Sequence, residues 1–415
     1  MKPVFSQQPF TVNDRTYTPP ARPVVGICLD GSADEYFDAA LARGLMPNLQ
    51  KMAVNGFRGL VRGALPSFTN VNNSSLITGV PPSVHGISGN FFYDTATGKE
   101  VMMNSAKYLR ADNISSAAAL AGRRVAVITA KDKLREILGH GLKGIAFSAE
   151  KAAEAKQETH GIEGVESLVG RPAPAIYSAE ISLYVFQAGV ALLRNNAADF
   201  LYLSTTDYMQ HAYAPDQPES LAFYHQIDHE LGNLLNLGAI VALTADHGMN
   251  AKQKANGEPN VIYLETMLEK QFGAGFRVIL PITDPYVAHH GALGSFACVH
   301  DGAGQQREEV GRWLAQQPGI TEVYNRADAA RRLELPADRI GDWVVLSGRD
   351  VVIGRTPAYH DLTVLHGGLR SHGGRYEEMV PLIISHPLKD TYKAKASGDP
   401  RNFDLFDFLM NGTTA

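Results

Sequence analysis

The sequence predicts an α/β fold with a doubly wound, mostly parallel sheet and helices on both faces. Two observations indicate this class: short β-rich runs are almost continuously apolar, and they alternate along the chain with helix-like stretches. The β-rich runs are VVGICLD (24–30), RVAVITA (124–130), DFLYLSTTD (199–207), GAIVALTADHG (238–248) and VPLIISH (380–386). The helix-like stretches cover 46–56, 180–196 and 218–238, and the last of them ends at a glycine.

A change of pattern between about Val261 and Ala358 predicts a second unit. Here the short β-like pieces FRVILPIT and WVVLSGRDVVIG flank one helix-like run, REEVGRWLAQQ. This pattern is typical of a small α+β insertion, after which the main sheet resumes at VPLIISH. We therefore predict a metal-binding catalytic core formed by residues 1–260 and 359–415. Residues 261–358 are predicted to form a cap, inserted before the last strand of the sheet.

The composition limits the binding partners and the cellular compartment that can be expected for this protein. The 415 residues carry a net charge of −5 and contain no basic run, so electrostatic binding to nucleic acid is not expected. The N-terminal segment lacks the apolar region of a signal peptide, and no apolar run approaches the roughly 18 residues of a membrane span. Cys28 and Cys298 are expected to be buried free thiols. These features predict a cytoplasmic protein without a membrane partner; the oligomeric state stays open, with a homodimer as one option.

Three predicted strands end in a carboxylate: Asp30, Asp207 and Asp246. Because the carboxyl ends of parallel strands meet at one edge of a sheet, we expect these side chains to lie close together. Their mutual repulsion is costly unless cations bind between them. Two histidines lie nearby in sequence, since His211 is one helical turn after Asp207 and His247 directly follows Asp246.

Further histidines extend this candidate metal site. His366 and His372 lie in the glycine-rich stretch HGGLRSHGG before the last strand. A mixed set of oxygen and nitrogen ligands favours Zn²⁺ or another divalent transition metal over Mg²⁺ or Ca²⁺. Two such metals about 4 Å apart form a clamp for phosphoryl transfer. His225 and His229 fit a structural role on a helix, whereas His289 and His290 are open to a structural or a substrate-facing role.

The segment PSFTNVNNSSLITGVPPSVHGISGN, residues 66–90, is crowded with hydroxyl and amide groups. Thr69 near its start could begin a helix, act as a nucleophile, or do both, since a helix N-terminus also favours bound anions. The polar residues that follow are expected to build and cap this helix rather than to contact a substrate; they are Asn72, Asn73, Ser74 and Ser75.

The order of motifs along the chain resembles that of a known superfamily. The motifs are Asp30, Thr69-Asn70, Thr78-Gly79, His85-Gly86, Asn90, Asp207-x3-His211, Asp246-His247-Gly248-Met249 and His372-Gly373. Together they resemble the alkaline phosphatase superfamily, and most closely the branch that contains nucleotide pyrophosphatase/phosphodiesterases and phosphonoacetate hydrolases. The resemblance covers Pro23 to about His386 discontinuously and implies an alkaline-phosphatase-like fold with the cap as its variable part.

The resemblance also implies roles for individual residues. One Zn²⁺ would be held by Asp30, Thr69, Asp246 and His247, and a second by Asp207, His211 and His372. Thr69 would be the nucleophile, activated by metal coordination, and Asn90 would donate a hydrogen bond to a phosphoryl oxygen. His366, which also precedes a glycine, is the alternative to His372.

A pair of lysines gives information about the identity of the substrate. Lys131 and Lys133 follow the strand at 124–130, and in an extended segment both would face the crevice; a solvated pair at a helix start is the alternative. TAKDKLR and DPYVAHHGALGSF resemble segments of phosphonoacetate hydrolases, whereas nucleotide phosphodiesterases are not expected to carry the lysine pair. The resemblance therefore implies hydrolysis of a small-molecule phosphonate, with cleavage of phosphonoacetate to acetate and phosphate through a phosphothreonine.

Three alternatives stay open from the sequence. The first is a nucleotide or alkyl phosphodiesterase/pyrophosphatase of the same superfamily. The second is a cofactor-independent phosphoglycerate mutase, although those enzymes usually have a serine in place of Thr69 and a larger insertion. The third is a metal-binding protein without catalytic activity, which the combination of a nucleophile and seven ligands disfavours.

Overall fold

The computed structural model describes residues 5–283, 291–302, 308–365 and 368–414. Its strands are β1 (Phe10–Val12), β2 (Arg15–Tyr17), β3 (Val24–Cys28), β4 (Phe57–Arg62), β5 (Phe91–Asp94), β6 (Lys99–Met102), β7 (Val125–Thr129), β8 (Ile145–Ser148), β9 (Phe200–Ser204), β10 (Ile240–Thr244), β11 (Asn250–Ala251), β12 (Val261–Tyr263), β13 (Phe276–Ile279), β14 (Phe296–Asp301), β15 (Ile320–Asn325), β16 (Trp343–Ser347), β17 (Val352–Gly354), β18 (Arg370–Ser371) and β19 (Met379–Ile384). Its α-helices are α1 (Asp34–Leu41), α2 (Pro47–Asn55), α3 (Thr69–Thr78), α4 (Pro82–His85), α5 (Ile114–Leu120), α6 (Asp132–Leu138), α7 (Gln157–His160), α8 (Val165–Val169), α9 (Ala179–Arg194), α10 (Tyr208–Ala212), α11 (Pro218–Asn236), α12 (Leu264–Phe272), α13 (Glu308–Leu314), α14 (Arg326–Arg332), α15 (Asp390–Ala396) and α16 (Leu405–Asp407).

The central sheet has seven strands in the order β4-β19-β10-β3-β9-β7-β8. The five strands from β10 to β8 are parallel, which confirms the predicted class of fold. The VPLIISH strand, β19, is antiparallel to both β10 and β4, so the sheet is mostly rather than wholly parallel. An apolar run indicates that both faces of a strand are buried, but it does not indicate the direction of the strand.

The two faces of this sheet are covered by different helices. Successive side chains of a strand point to opposite faces, and in β9 Leu201 and Leu203 contribute to one apolar core while Phe200 and Tyr202 contribute to the other. Helices α1, α2, α9 and α11 pack on the first face, and α5, α6 and α16 pack on the second. The apolar runs seen in the sequence therefore follow from burial on both sides.

A second sheet has four antiparallel strands in the order β13-β14-β16-β15, with α12, α13 and α14 nearby in sequence. All of these elements lie within 261–358, and the division of the chain into core and cap stays a prediction. Phe68, the residue before α3, packs its ring against Phe296 of this sheet, with ring centroids 6.4 Å apart. The second sheet thus contacts the start of the helix that carries Thr69.

Two further expectations concern cysteine and membranes. Both cysteines are buried free thiols, as predicted. Within the described ranges, none of the helices combines the length and the apolar composition that crossing a bilayer requires.

Arg123 provides a test of how the N-terminal segment is held to the sheet. Its guanidinium is fully buried, pairs with Asp199 Oδ1 at 2.6 Å, and donates to the backbone oxygens of Ser6, Pro20 and Arg22. Replacing it (Arg123→Met) leaves several buried oxygens without their donor, so we expect the free energy of unfolding to fall by about 3–5 kcal/mol. Urea denaturation measures this change.

Arg124 supplies the matched control, because it pairs with the same Asp199 but its side chain is 43% exposed. Arg124→Met should cost less than about 1 kcal/mol. Equal losses in the two variants would contradict the assignment of Arg123 as the buried anchor.

Candidate active site

The predicted site residues meet at the edge where the parallel strands end. Asp30 follows β3, Asp207 follows β9, and Asp246 and His247 follow β10. Because β19 is antiparallel, its N-terminal end lies at this same edge, and His372 in the preceding loop reaches the site. The reversal of β19 therefore brings a candidate ligand from late in the sequence beside the ends of the parallel strands.

The first group of candidate ligands surrounds His247. Its Nε2 atom lies 3.2 Å from Asp30 Oδ1, 3.8 Å from Asp246 Oδ2 and 3.4 Å from Thr69 Oγ1. Asp30, Asp246 and His247 are buried, and one ligand atom from each lies within 4.8 Å of the others. This is the set of residues that the resemblance assigns to the first metal.

The second group surrounds Asp207. Its Oδ2 atom lies 2.9 Å from His211 Nε2 and 3.6 Å from His372 Nε2. The rings of His247 and His372 stack with centroids 3.5 Å apart, and Asp207, His247 and His372 form another cluster whose ligand atoms lie within 4.8 Å of one another. His247 thus lies between the two groups, and the assignment of each residue to one metal stays a prediction.

Backbone contacts orient all three histidines in the same way. The Nδ1 atoms of His211, His247 and His372 lie 2.7, 2.9 and 2.7 Å from the carbonyl oxygens of Arg370, Gly248 and Ser67. A carbonyl oxygen only accepts, so each Nδ1 carries a hydrogen and each Nε2 faces the carboxylates. Histidines that ligate a metal are usually held in this way.

The charges at the site call for a cation. Burial raises the pKa of Asp30 well above its usual value, and the neighbouring carboxylates Asp207 and Asp246 raise it further. Burial lowers the pKa of His247, but Asp246 and Asp30 outweigh that effect and raise it to about 10. Asp30 Oδ1 is buried, and among the described residues it has the 3.2 Å approach of His247 Nε2 but no well-aligned hydrogen bond. Both shifts and the unsatisfied oxygen indicate strong binding of positive charge, so the residues present fit divalent metal ions.

Thr69 is the first residue of α3, and Asn73 links it to Asp246, one of the candidate metal ligands. Asn73 Nδ2 donates to the Thr69 carbonyl oxygen and to Asp246 Oδ2, at 3.1 Å each. Asn73 Oδ1 accepts from the hydroxyls of Tyr202 and Ser204. The sequence indicated that Asn73 supports the helix, but it missed this contact with Asp246, because the two residues are far apart along the chain.

Asn90 and the lysines line one cavity with Thr69. The backbone N–H of Asn70 donates to Asn90 Oδ1 at 3.1 Å, which places the Asn90 NH₂ donor on the other side of the amide. Lys131 Nζ lies 3.7 Å from Asp207 Oδ1. The cavity has a volume of about 60 Å³, and the described residues that line it are Asp30, Thr69, Asn70, Asn90, Lys131, Lys133, Leu134, Thr205, Asp207, Ile282 and His372.

The structure corrects one part of the lysine prediction. Lys131 is extended and directly precedes α6, but Lys133 lies in the first turn of that helix rather than in an extended segment. Both expectations from the sequence thus hold in part, since the pair lies at a helix start and still lines the cavity.

The other histidines singled out in the sequence as candidates divide into two groups. His225 and His229 lie on α11 and are exposed, and the described residues that line the cavity do not include them. His289, His290 and His366 lie outside the described residues, so their predicted roles stay predictions.

Comparison with known proteins identifies the family. The model of the type I phosphodiesterase / nucleotide pyrophosphatase family matches residues 24–374. The chain belongs to this family. The match spans the residues of the candidate active site and confirms the superfamily that the motif order indicated.

Solved structures of relatives are similar over nearly the whole chain. A phosphonoacetate hydrolase from Sinorhizobium meliloti, solved with phosphonoformate and with phosphonoacetate, is 47% identical, covers 98% of this chain and is itself 99% covered, with TM-scores of 0.94 and 0.93. Murine ectonucleotide pyrophosphatase/phosphodiesterase 5, solved with AMP, shares the fold at 19% identity, with a TM-score of 0.62; the alignment covers 95% of this chain and 96% of that one.

A curated relative matches a smaller part. The venom phosphodiesterase of Naja atra is 26% identical over 247 residues, which are 55% of this chain and 26% of that protein. The chain therefore matches about a quarter of that protein's length, and its whole activity does not transfer to this chain.

Metal binding should stabilise this family member measurably. Adding Zn²⁺ or Mn²⁺ to chelator-treated protein should raise Tm, because a ligand that binds only the folded state adds about 2.7 kcal/mol of stability at a hundredfold excess over Kd. The double variant Asp30→Ala/Asp246→Ala removes two candidate ligands and should lose most of the shift. An equal shift in this variant and in the unaltered chain would contradict the proposed ligand set.

Asn73 should affect metal affinity without touching the metal. Asn73→Ala removes the donor to Asp246, and we expect about a 10–100-fold weaker Kd for Zn²⁺, as for other residues that orient ligands. Isothermal titration calorimetry measures this Kd directly.

Asn72→Ala is the matched control, because Asn72 is buried on the same helix and bonds Ala64 instead of Asp246. It should lower stability and leave the Kd unchanged. A weaker Kd in both variants would mean that Asn73 acts only through the stability of α3.

Proposed function

We propose that this chain hydrolyses phosphonoacetate to acetate and phosphate, with Thr69 as nucleophile and two Zn²⁺ as cofactors. The observation that carries the proposal is the presence of Lys131 and Lys133 in the same small cavity as Thr69, Asn90 and the candidate metal ligands. It is supported by the 47% identity, over nearly the whole chain, to a phosphonoacetate hydrolase.

The two ends of this substrate match the two kinds of polar group in the cavity. The phosphonate is a dianion and suits the metal ions that the ligands would hold and the NH₂ group of Asn90, which lies on the Thr69 side. The carboxylate is a second anion, and the lysines offer ammonium groups that can bind it. A nucleotide has no carboxylate in this position to pair with the lysines.

The chemistry explains why lysines are needed. Thr69 Oγ1 attacks phosphorus, a new P–O bond forms, the P–C bond breaks, and its electron pair goes to carbon. That carbanion is feasible because the adjacent carboxylate delocalises it, and an ammonium group beside the carboxylate lowers the barrier further. The carbon then takes up a proton equivalent to the one lost from Thr69, which gives acetate and a phosphothreonine. Water attacks this phosphorus, phosphate leaves, and the Thr69 hydroxyl is restored.

The metal ions would be held by the two groups of ligands described above. We propose Asp30, Thr69, Asp246 and His247 for the first ion and Asp207, His211 and His372 for the second. When bound, such ions neutralise phosphonate oxygens and favour ionisation of a coordinated hydroxyl. The mixture of imidazole and carboxylate ligands favours zinc.

A second candidate function is a nucleotide or alkyl phosphodiesterase/pyrophosphatase. The matched family model and the similarity to venom phosphodiesterase favour it. Thr69, the metal ligands and Asn90 would serve either reaction, so the lysine pair is what separates the two candidates.

Substitution of each lysine tests this assignment. For Lys131→Ala and Lys133→Ala, kcat/KM on phosphonoacetate should fall by about 100-fold or more, because a preorganised group facing developing charge is removed. Activity on bis(p-nitrophenyl) phosphate, whose leaving group needs no carbanion stabilisation, should change far less. Phosphate release and nitrophenolate absorbance measure the two reactions.

The exposed Lys143 provides the control, since Lys143→Ala should alter neither activity. Equal losses of activity on both substrates would contradict the assignment of the lysines to the carboxylate of phosphonoacetate. An unaltered chain that hydrolyses the diester well but releases no phosphate from phosphonoacetate would favour the phosphodiesterase.

A further inference from the structure

The active-site cavity has an apolar side that the proposed reaction does not yet use. Of the described residues that line it, two are purely apolar: Leu134 and Ile282, which we call the apolar wall. Both side chains are buried, with 6% and 1% of their surface exposed. The two residues come from different parts of the chain, one from α6 and the other from the segment after β13.

Leu134 is held in place by the helix that carries the lysine pair. It follows Lys133 in α6 and packs into the apolar core on that face of the main sheet, together with Ile137 and Leu138. Its position relative to Lys133 is therefore fixed by one turn of helix and by burial, so it cannot move away from the cavity without disturbing the core.

Ile282 is held beside Asn90 by backbone hydrogen bonds. The carbonyl oxygen of Pro281 accepts from the N–H groups of Asn90 and Phe91 at 2.8 and 3.2 Å, which couples this segment to the proposed phosphoryl contact. Behind Ile282, a Cβ atom on Gly294 would lie 3.2 Å from Ile282 Cδ1 and 3.0 Å from the His372 carbonyl oxygen. Ile282 is thus packed closely against Gly294, which adjoins the backbone of His372.

We infer that the apolar wall contacts the carbon between the phosphonate and the carboxylate, and that it limits which substituents this carbon can carry. The inference rests on the proposed function. Both ends of phosphonoacetate are anionic and require the polar lining. Its methylene group forms no hydrogen bonds, so its burial against an apolar surface carries no desolvation penalty. Because Ile282 lies within 261–358, the segment predicted as the cap contributes directly to substrate selection.

The test compares phosphonoacetate with an analogue that carries a methyl group on the central carbon. In the series Ile282, Ile282→Val and Ile282→Ala, the ratio of kcat/KM for the methylated to the unmethylated substrate should rise stepwise, by about tenfold or more for alanine. Leu134→Ala should raise the ratio as well. Ile282→Val removes a single methyl group, so it tests the wall even if the alanine variant folds poorly.

Matched controls separate the wall from general loosening of the fold. Ile279→Ala and Leu138→Ala remove buried side chains from the same two segments, and neither residue is among those that line the cavity. They should lower Tm and leave the substrate ratio unchanged. A ratio that stays constant in the wall variants, or that rises equally in the controls, would overturn the inference.

The proposed function and the wall can fail separately. Phosphate release from phosphonoacetate by the unaltered chain tests the function alone. If that activity is absent, the two phosphonates can be tested as inhibitors of bis(p-nitrophenyl) phosphate hydrolysis. The ratio of their inhibition constants then replaces the ratio of their kcat/KM values. A ratio of inhibition constants that shifts in the wall variants supports the wall, and one that does not shift refutes it.

Discussion

The structure depends on the convergence of three buried carboxylates at one edge of the main sheet. Asp30, Asp207 and Asp246 lie there because each follows a parallel strand, and the C-terminal ends of parallel strands lie at the same edge of the sheet. Buried carboxylates repel one another and lose their hydration, so the arrangement requires positive charge. The raised pKa values of Asp30 and His247 are consistent with this requirement. The histidines, the start of α3 and the lysine pair are all placed around it.

The elements that surround these carboxylates come from distant parts of the chain and are locked by hydrogen bonds. The reversed strand β19 brings His372 to the edge, and the Ser67 carbonyl oxygen fixes its ring. Asn73 joins the first turn of α3 to Asp246, so the proposed nucleophile and a proposed ligand share one support. The segment after β13 contributes Ile282, which is coupled to Asn90 through Pro281. Small displacements in any of these segments would alter the site.

The fold class and the grouping of site residues could be predicted from the sequence, whereas several details could not. Apolar runs and strand-terminal aspartates point to a parallel sheet with a charged edge. They do not reveal that β19 is antiparallel, because direction depends on the connection and not on the composition. The edge strand β4 was missed because its side chains are mostly part-exposed and it lacks an apolar run. The contacts Asn73–Asp246 and Pro281–Asn90 join residues that are far apart along the chain, so no local sequence pattern predicts them.

The central claim is that Thr69 takes the phosphoryl group directly from carbon. The most direct measurement is mass spectrometry of peptides from protein that has been mixed with phosphonoacetate and quenched in acid within the first turnovers. The account predicts one added phosphoryl group on the peptide that contains Thr69, and none in Thr69→Ala. Acetate and phosphate released at a normal rate without any such adduct, or with the adduct on another residue, would contradict it.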